Sequence, residues 1–227
     1  HDDCPKRTFK HLAPFAIGKS ESSEYPGHWM EIRLGDIGEW RGGGTPSKAR
    51  QEFWRGSIPW VSPKDMKVPR IRDAQDHISK AAVDASSVRP IPRGSLLMVV
   101  RGMILARAFP VALAMRDVTI NQDMKAILPY EQETGEFLLL ALQALERRVL
   151  AAVQTSTHGT CKLGSDFLQE LVVPIPPLAE QQRIVAKVNQ LMVLIDRLEA
   201  QFSASHGTGV KLLEAVVAEL TEGVGAA

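Results

Sequence analysis

The sequence has only two cysteines, Cys4 and Cys161, with no CxxC pair and no histidine cluster beside either. That leaves no disulfide framework and no zinc-ligand spacing, and both are read as free thiols. Long apolar runs are also missing: nothing approaches the roughly 20 residues that a membrane span needs, and His1 to Lys10 has no signal-like apolar stretch. A soluble, cytoplasmic protein is the expectation. Neither the GxxxxGK[ST] phosphate loop nor a GxGxxG dinucleotide fingerprint after a strand is found, and no nucleophile signature accompanies His158. No catalytic residue, metal site or resident cofactor is therefore expected. Met is absent at position 1, which points to a trimmed chain or a fragment of a longer polypeptide.

What is present is 227 residues with an apolar share of 44%, enough for one globular body and an extended element. The formal net charge of +1 hides segregation. From Arg41 to Arg72 eight basic side chains face two acidic ones, whereas from Glu180 to Glu222 six acidic side chains face four basic ones. A local basic patch on a near-neutral protein suits a polyanion, although a scattered, solvated surface has the same count.

Residues 1–27, with Pro5, Pro14 and Pro26 and no sustained periodicity, read as an irregular leader or linker. Residues 28–176 read as a mixed α/β (α+β) globular body. Its short apolar runs, Ile32 to Ile37, Ile58 to Val61, Leu96 to Val100, Val111 to Met115 and Lys125 to Leu128, are broken by Gly and Pro as short strands are. Helical spacing of Phe137, Leu138, Ala141, Leu142, Leu145, Val149 and Val153 predicts one helix over Glu136 to Val153.

Pro174, Pro176 and Pro177 end the body, and residues 177–227 form a long helical, coiled-coil arm. Ile184, Val188, Leu191, Ile195, Leu198 and Phe202 alternate spacings of four and three, a narrow seam suited to another helix. Val210, Leu213, Val217 and Leu220 resume the spacing out of register after His206 to Gly209, so the arm is two helices or one with a local flaw.

Three polar clusters are candidates for contact with nucleic acid. In Trp40 to Lys48, Gly43 and its glycine neighbours let backbone N–H groups approach a phosphate, and Arg41, Thr45, Ser47 and Lys48 add donors; a purely structural turn is the alternative. Arg101, at the end of an apolar run, and Asn121, Gln122 and Lys125, at the start of another, are the side-chain types that read base edges. Thr157, His158, Thr160 and Lys162 form a third group of small donors with a cation, and Lys64 adds charge to the basic stretch.

Taken in order, several stretches resemble the specificity subunit of type I restriction-modification enzymes. They are Gly27-His28-Trp29 with Leu34-Gly35-Asp36-Ile37, Gly43-Gly44-Thr45-Pro46-Ser47, Trp54-Arg55-Gly56-Ser57-Ile58-Pro59-Trp60, Gly94-Ser95-Leu96-Leu97, the Asn121-Gln122 region, Ser156 to Thr160, and Pro174 to Val185. The resemblance runs from about Pro26 to the C-terminus, and its most specific part is PPLAEQQRIV leading into the heptad helix. It implies a target recognition domain that reads one half of a bipartite double-stranded DNA site, followed by a helical spacer. A complete subunit carries two such units, and this chain holds one. It resembles the C-terminal half of a longer subunit, or a half-sized one that forms a homodimer through its helix.

The resemblance further implies methyltransferase subunits as partners and a restriction subunit joined through the complex. S-adenosylmethionine, ATP and Mg would belong to those partners. The sequence has no [DN]PP[YF] methyltransferase motif and no helicase Walker motif, in keeping with a recognition subunit that is not itself an enzyme. The alternatives are the recognition segment of a fused restriction-methyltransferase polypeptide and a purely structural coiled-coil scaffold.

Overall fold

The computed structural model describes residues 25–156 and 159–224. The expected leader up to residue 24 and the candidate residues Thr157 and His158 lie outside the described residues. Among those described, the chain runs β1 Met30–Arg33, β2 Gly38–Gly42, β3 Ile58–Val61, β4 Arg70–Ile71, β5 Asp76–Ile78, α1 Lys80–Asp84, β6 Leu96–Val99, β7 Val111–Ala114, β8 Thr119–Ile120 and β9 Met124–Pro129. It continues with α2 Gly135–Ala144, α3 Glu146–Leu150, β10 Gln154–Thr155, β11 Cys161–Lys162, α4 Ser165–Glu170, β12 Val172–Ile175 and α5 Leu178–Val224. Two compact units result, the second beginning at Arg183 within α5.

The centre of the first unit is a five-stranded sheet ordered β2-β9-β6-β7-β4, antiparallel except where β4 runs parallel to β7. Every residue of β6 (LLMV) and β7 (VALA) is buried. Covered on both faces, these strands read as continuous apolar runs instead of alternating ones. α2 packs on β6 and β7 with Phe137, Leu138, Leu139 and Leu142 buried. A second sheet, β5-β3-β8, has β3 antiparallel to β5 and parallel to β8. Phe53, Trp60, Ile78, Ala82 and Val88 form a separate core cluster beside it.

The ends of the body are tied together by β1 and β12, which pair antiparallel with Met30 opposite Ile175 and Ile32 opposite Val173. Leu34 N–H extends the pairing to the Leu171 carbonyl at 2.8 Å. The sequence predicts an extended run from Ile32 to Ile37, but the strand stops at Arg33 and Leu34–Asp36 forms a 3-10 turn. The turn points Leu34 and Ile37, three residues apart, into the core together.

The predicted single helix over Glu136 to Val153 is likewise two, broken at Leu145, which leaves helical geometry at ψ 1°. Just past the break, the Glu146 carboxylate accepts a 2.8 Å hydrogen bond from the backbone N–H of Phe109, satisfying a donor that the loop before β7 leaves in a buried setting.

α5 begins directly after Pro176 and Pro177. Its first turn is held by Glu180 and Gln181 N–H groups bonding the Pro177 carbonyl, by Gln181 Nε2 donating to Pro176 O at 2.8 Å, and by His28 Nε2 meeting Glu180 Oε2 at 2.7 Å. The helix passes through His206 to Gly209 without interruption, and the Thr208 hydroxyl donates back to the Ala204 carbonyl. At about 1.5 Å per residue its 47 residues reach roughly 70 Å. Leu191, Ile195, Leu198, Phe202 and Leu213 are exposed along it, as are Met192, Val193 and Leu194, so the apolar surface is wider than a two-position seam. The side chain of Val217 lies outside the described residues.

Closure by β1 and β12 should contribute to the stability of the body through the buried side chains it carries. Replacing Ile32, 1% exposed, with Ala is expected to cost about 2–4 kcal/mol in urea unfolding; a loss under about 0.5 kcal/mol would show that the pairing contributes little.

Candidate nucleic-acid interface

The polar clusters picked from sequence converge on one short turn, Asn121 to Asp123, between β8 and β9. Asn121 is only 6% exposed. Its side-chain Oδ1 accepts from Asp123 N–H at 3.1 Å, its own N–H bonds the Val61 carbonyl, and its Oδ-to-N–H closure two residues ahead is an Asx-type turn. Asn121 therefore shapes the turn from a buried position. Gln122, next to it, is exposed.

The glycine segment after β2 lies against this turn. A Cβ on Gly43 would sit 1.8 Å from Asn121 O and 2.4 Å from Ile120 O, so only glycine permits the two backbones to touch. Gly44 N–H donates to Ile120 O at 2.9 Å and its carbonyl accepts from Trp60 Nε1 at 2.9 Å. The glycines thus serve backbone packing, and the idea that they open N–H groups to a phosphate is corrected at Gly44. One residue on, the Thr45 hydroxyl donates to Gln122 Oε1, joining the two clusters through side chains. Ser47 and Lys48 follow, both exposed.

On the other side of the turn, Val100 and Arg101 N–H groups both bond Asp123 O, at 2.8 and 3.1 Å. Arg101 pairs across an isolated antiparallel bridge with Lys162 of β11, and Gly102 N–H reaches Cys161 O at 2.9 Å. The Arg101 guanidinium is half exposed, 3.8 Å from the Asp123 carboxylate. Thr160, exposed, is held in the β10–β11 hairpin by Ser156, whose Oγ accepts from its N–H at 3.2 Å. Lys125 of β9 stands opposite Gly42 in the register. Gly43, Thr45, Arg101, Gln122, Lys125, Thr160 and Lys162 are accordingly gathered around Asn121 to Asp123.

Three sequence candidates are placed differently. Arg41 is engaged internally: its Nε and one terminal nitrogen donate to both Glu39 carboxylate oxygens at 2.9 and 3.2 Å, and the other to Pro90 O at 2.9 Å. In this structure the fork is engaged by Glu39 and Pro90. Lys64 donates to Asp76 at 2.8 Å, a hydrogen bond that raises its pKa above the ordinary lysine value. Lys48 lines a cavity of about 510 Å³ with Gln51, Trp54, Arg55, Trp60 and Asp76. Trp54 and Trp60 meet there edge to face, 5.0 Å between centroids. The cavity residues Gln51, Trp54 and Arg55 were not picked as candidates, although the Trp54 to Trp60 motif carried the signal.

Pairing also redistributes the basic stretch. Arg41, Arg50, Lys64 and Arg70 are held by Glu39, Glu52, Asp76 and Glu136. Three of those carboxylates lie outside Arg41 to Arg72, so the cationic surface is weaker there than the linear count suggests, while Arg101 meets Asp123 only at the longer distance of 3.8 Å. No helix among the described residues is long and apolar enough to cross a membrane. No group of three or more His, Cys, Asp or Glu side chains is placed to hold a metal ion among the described residues.

Residues 26–204 match the family model described as type I restriction modification DNA specificity domain. The chain is 39% identical over 166 residues to the specificity subunit of the Escherichia coli type I restriction enzyme EcoR124I/EcoR124II, covering 73% of this chain and 41% of that one. It is 31% identical over 188 residues to the MjaIX specificity subunit of Methanocaldococcus jannaschii, covering 81% and 42%. Among solved structures, the HsdS subunit from Thermoanaerobacter tengcongensis aligns with a TM-score of 0.60 at 21% identity over 83% of this chain and 43% of that one, a likeness of fold. The chain thus spans less than half the length of these relatives.

Two outcomes test the internal roles. Gly43→Ala should cost at least about 2 kcal/mol in chemical unfolding, because backbone, not a flexible side chain, stands in the way; an unaffected midpoint would contradict the close packing. The Arg41 hydrogen bonds, above all, hold the Glu39 carboxyl below its ordinary range. A carboxyl depressed in the fold adds stability above its unfolded pKa and loses it as pH falls through the folded value. Arg41→Ala should therefore move the Glu39 titration, followed by carboxyl NMR, upward; an unmoved midpoint would mean that Arg41 is free.

Proposed function

The chain belongs to the family of type I restriction-modification DNA specificity domains, and on that premise we propose that it reads one half of a bipartite double-stranded DNA target without catalysing a reaction itself. The observation that carries this reading is the convergence of Arg101, Gln122, Lys125, Thr160 and Lys162, from three separate stretches of sequence, at the turn Asn121 to Asp123. Cations placed around an exposed amide combine phosphate attraction with a group that can bond a base edge. A guanidinium such as Arg101 can do either, and Lys162 beside it supplies a point charge.

α5 serves in this reading as a spacer whose exposed apolar side chains pair with a second helix as a coiled coil. That helix belongs either to a second recognition unit or to another copy of this chain. Ile184, Val188, Leu191, Ile195, Leu198 and Phe202 are the proposed pairing positions. An isolated helix with so much apolar surface in water would gain from a partner, since burial contributes roughly 25 cal/mol per Å². Methyltransferase subunits would dock on the assembly and bring S-adenosylmethionine; a restriction subunit joined through the complex would bring ATP and Mg. The site of action is the cytoplasm, where its DNA would be.

Binding of the full chain, alone and assembled with methyltransferase subunits, to duplexes selected from a random library tests the reading. Enrichment of defined base positions is expected, with affinity falling steeply as salt rises because phosphate contacts release counterions. Lys162→Ala should weaken binding to all duplexes and lower the salt slope by about 1, whereas Arg101→Ala or Gln122→Ala should alter which bases are enriched. Equal affinity for selected and unselected duplexes would remove the recognition claim.

A further inference from the structure

Met103 is 65% exposed, more than Val68 or Tyr130, the other large apolar side chains exposed on the body among the described residues. A single exposed apolar residue needs no explanation by itself. Its setting does. Gly102 adopts φ +133°, a conformation that L side chains rarely take, and its N–H is fastened to Cys161 O at 2.9 Å. From there Met103–Ala106 forms a 3-10 turn closed by Leu105 N–H to Gly102 O and by Arg107 and Ala108 N–H groups to Ile104 O. Leu105, 1% exposed, roots the turn in the core. The turn is thus anchored at both ends and beneath, and it presents Met103 outward.

Three cations flank that turn. Arg101 precedes it by two residues and is half exposed, Arg107 closes the turn and is exposed, and Lys162 pairs with Arg101 across the bridge. An apolar projection with three cations close by along the chain and across the bridge, one of them 3.8 Å from the Asp123 carboxylate, matches a surface that is anionic at its rim and apolar in its interior. Duplex DNA is built that way, with phosphates along the groove edges and thymine methyl groups and base faces between them. A protein partner would want a broad apolar area around Met103, whereas the turn adds only Ala106 and part of Ile104 between Arg101 and Arg107. Met is also unbranched and polarizable, able to fit an irregular apolar contact.

We propose that Met103 is a specificity-determining residue that makes an apolar contact with a nucleobase of the target, positioned by the Gly102 to Arg107 turn while Arg101, Arg107 and Lys162 hold the flanking phosphates. The inference rests on the DNA-reading function proposed above. It adds a contact that hydrogen-bonding logic does not find.

The test uses the full chain and duplexes that it enriches from a random library. Met103→Ala should lower the ratio of affinities for enriched over random duplexes by about tenfold, the scale of one base-pair mismatch. Affinity for random duplexes and the salt slope should stay unchanged, because no charge is removed. Met103→Leu, which keeps the apolar bulk, should retain the preference. Replacing thymine with uracil in the enriched duplex separates the two apolar surfaces. A tenfold loss with the unsubstituted chain that is absent with Met103→Ala identifies the methyl group, and no loss identifies a base face; either supports the contact. If the unsubstituted chain prefers no sequence, the function proposed above falls. If it selects and Met103→Ala selects equally well, or if Met103→Leu loses as much as Met103→Ala, the Met103 contact alone is overturned.

Discussion

The contact between the Gly43 backbone and the Ile120–Asn121 peptides is the constraint on which the polar surface depends. Any side chain at position 43 would overlap the Asn121 carbonyl, and the carbonyls of Ile120 and Gly44 are bonded to Gly44 N–H and Trp60 Nε1 in turn. Because those bonds link the glycine segment to both β8 and β3, the Thr45 hydroxyl and the Gln122 amide are brought together. Asp123 then binds the backbone of Val100 and Arg101 on the far side. Three loops are locked by main-chain bonds, and the exposed side chains on them inherit fixed positions. Such preorganisation lowers the ordering cost of binding.

Some of this was legible in the sequence. β3, β6, β7 and β9 announce themselves as apolar runs between Gly and Pro, and the PPLAEQQRIV segment marks where the long helix begins. What was not legible depends on contacts between distant residues. The break at Leu145 is accompanied by the bond from Phe109 N–H to Glu146, and the turn at Leu34–Asp36 by the burial of Leu34 and Ile37 together. Neither leaves a local mark.

The site shows the same division. Residue types around Asn121, Arg101 and Lys162 suggested polar recognition, but sequence could not say that Asn121 is buried in its own turn or that Arg41 is gripped by Glu39. The basic stretch from Arg41 to Arg72 was overestimated because Glu39, Asp76 and Glu136 neutralise parts of it from outside that span. Met103 reads in the sequence as one more apolar residue in a run; only its exposure in the fold sets it apart. Along α5, the helix continues where Gly207 and Gly209 suggested an interruption, which is tolerable because glycine lowers helix propensity by only about 1 kcal/mol.

Photo-cross-linking tests most directly whether the surface around Asn121 to Asp123 faces DNA. With a benzophenone amino acid in place of Gln122, ultraviolet light should attach the full chain to bases of an enriched duplex. The same group in place of Glu170, which bonds Arg33 beside the β1–β12 pair, should give little or none. Equal cross-linking from both positions, or cross-linking from position 170 alone, would contradict the assignment of this surface.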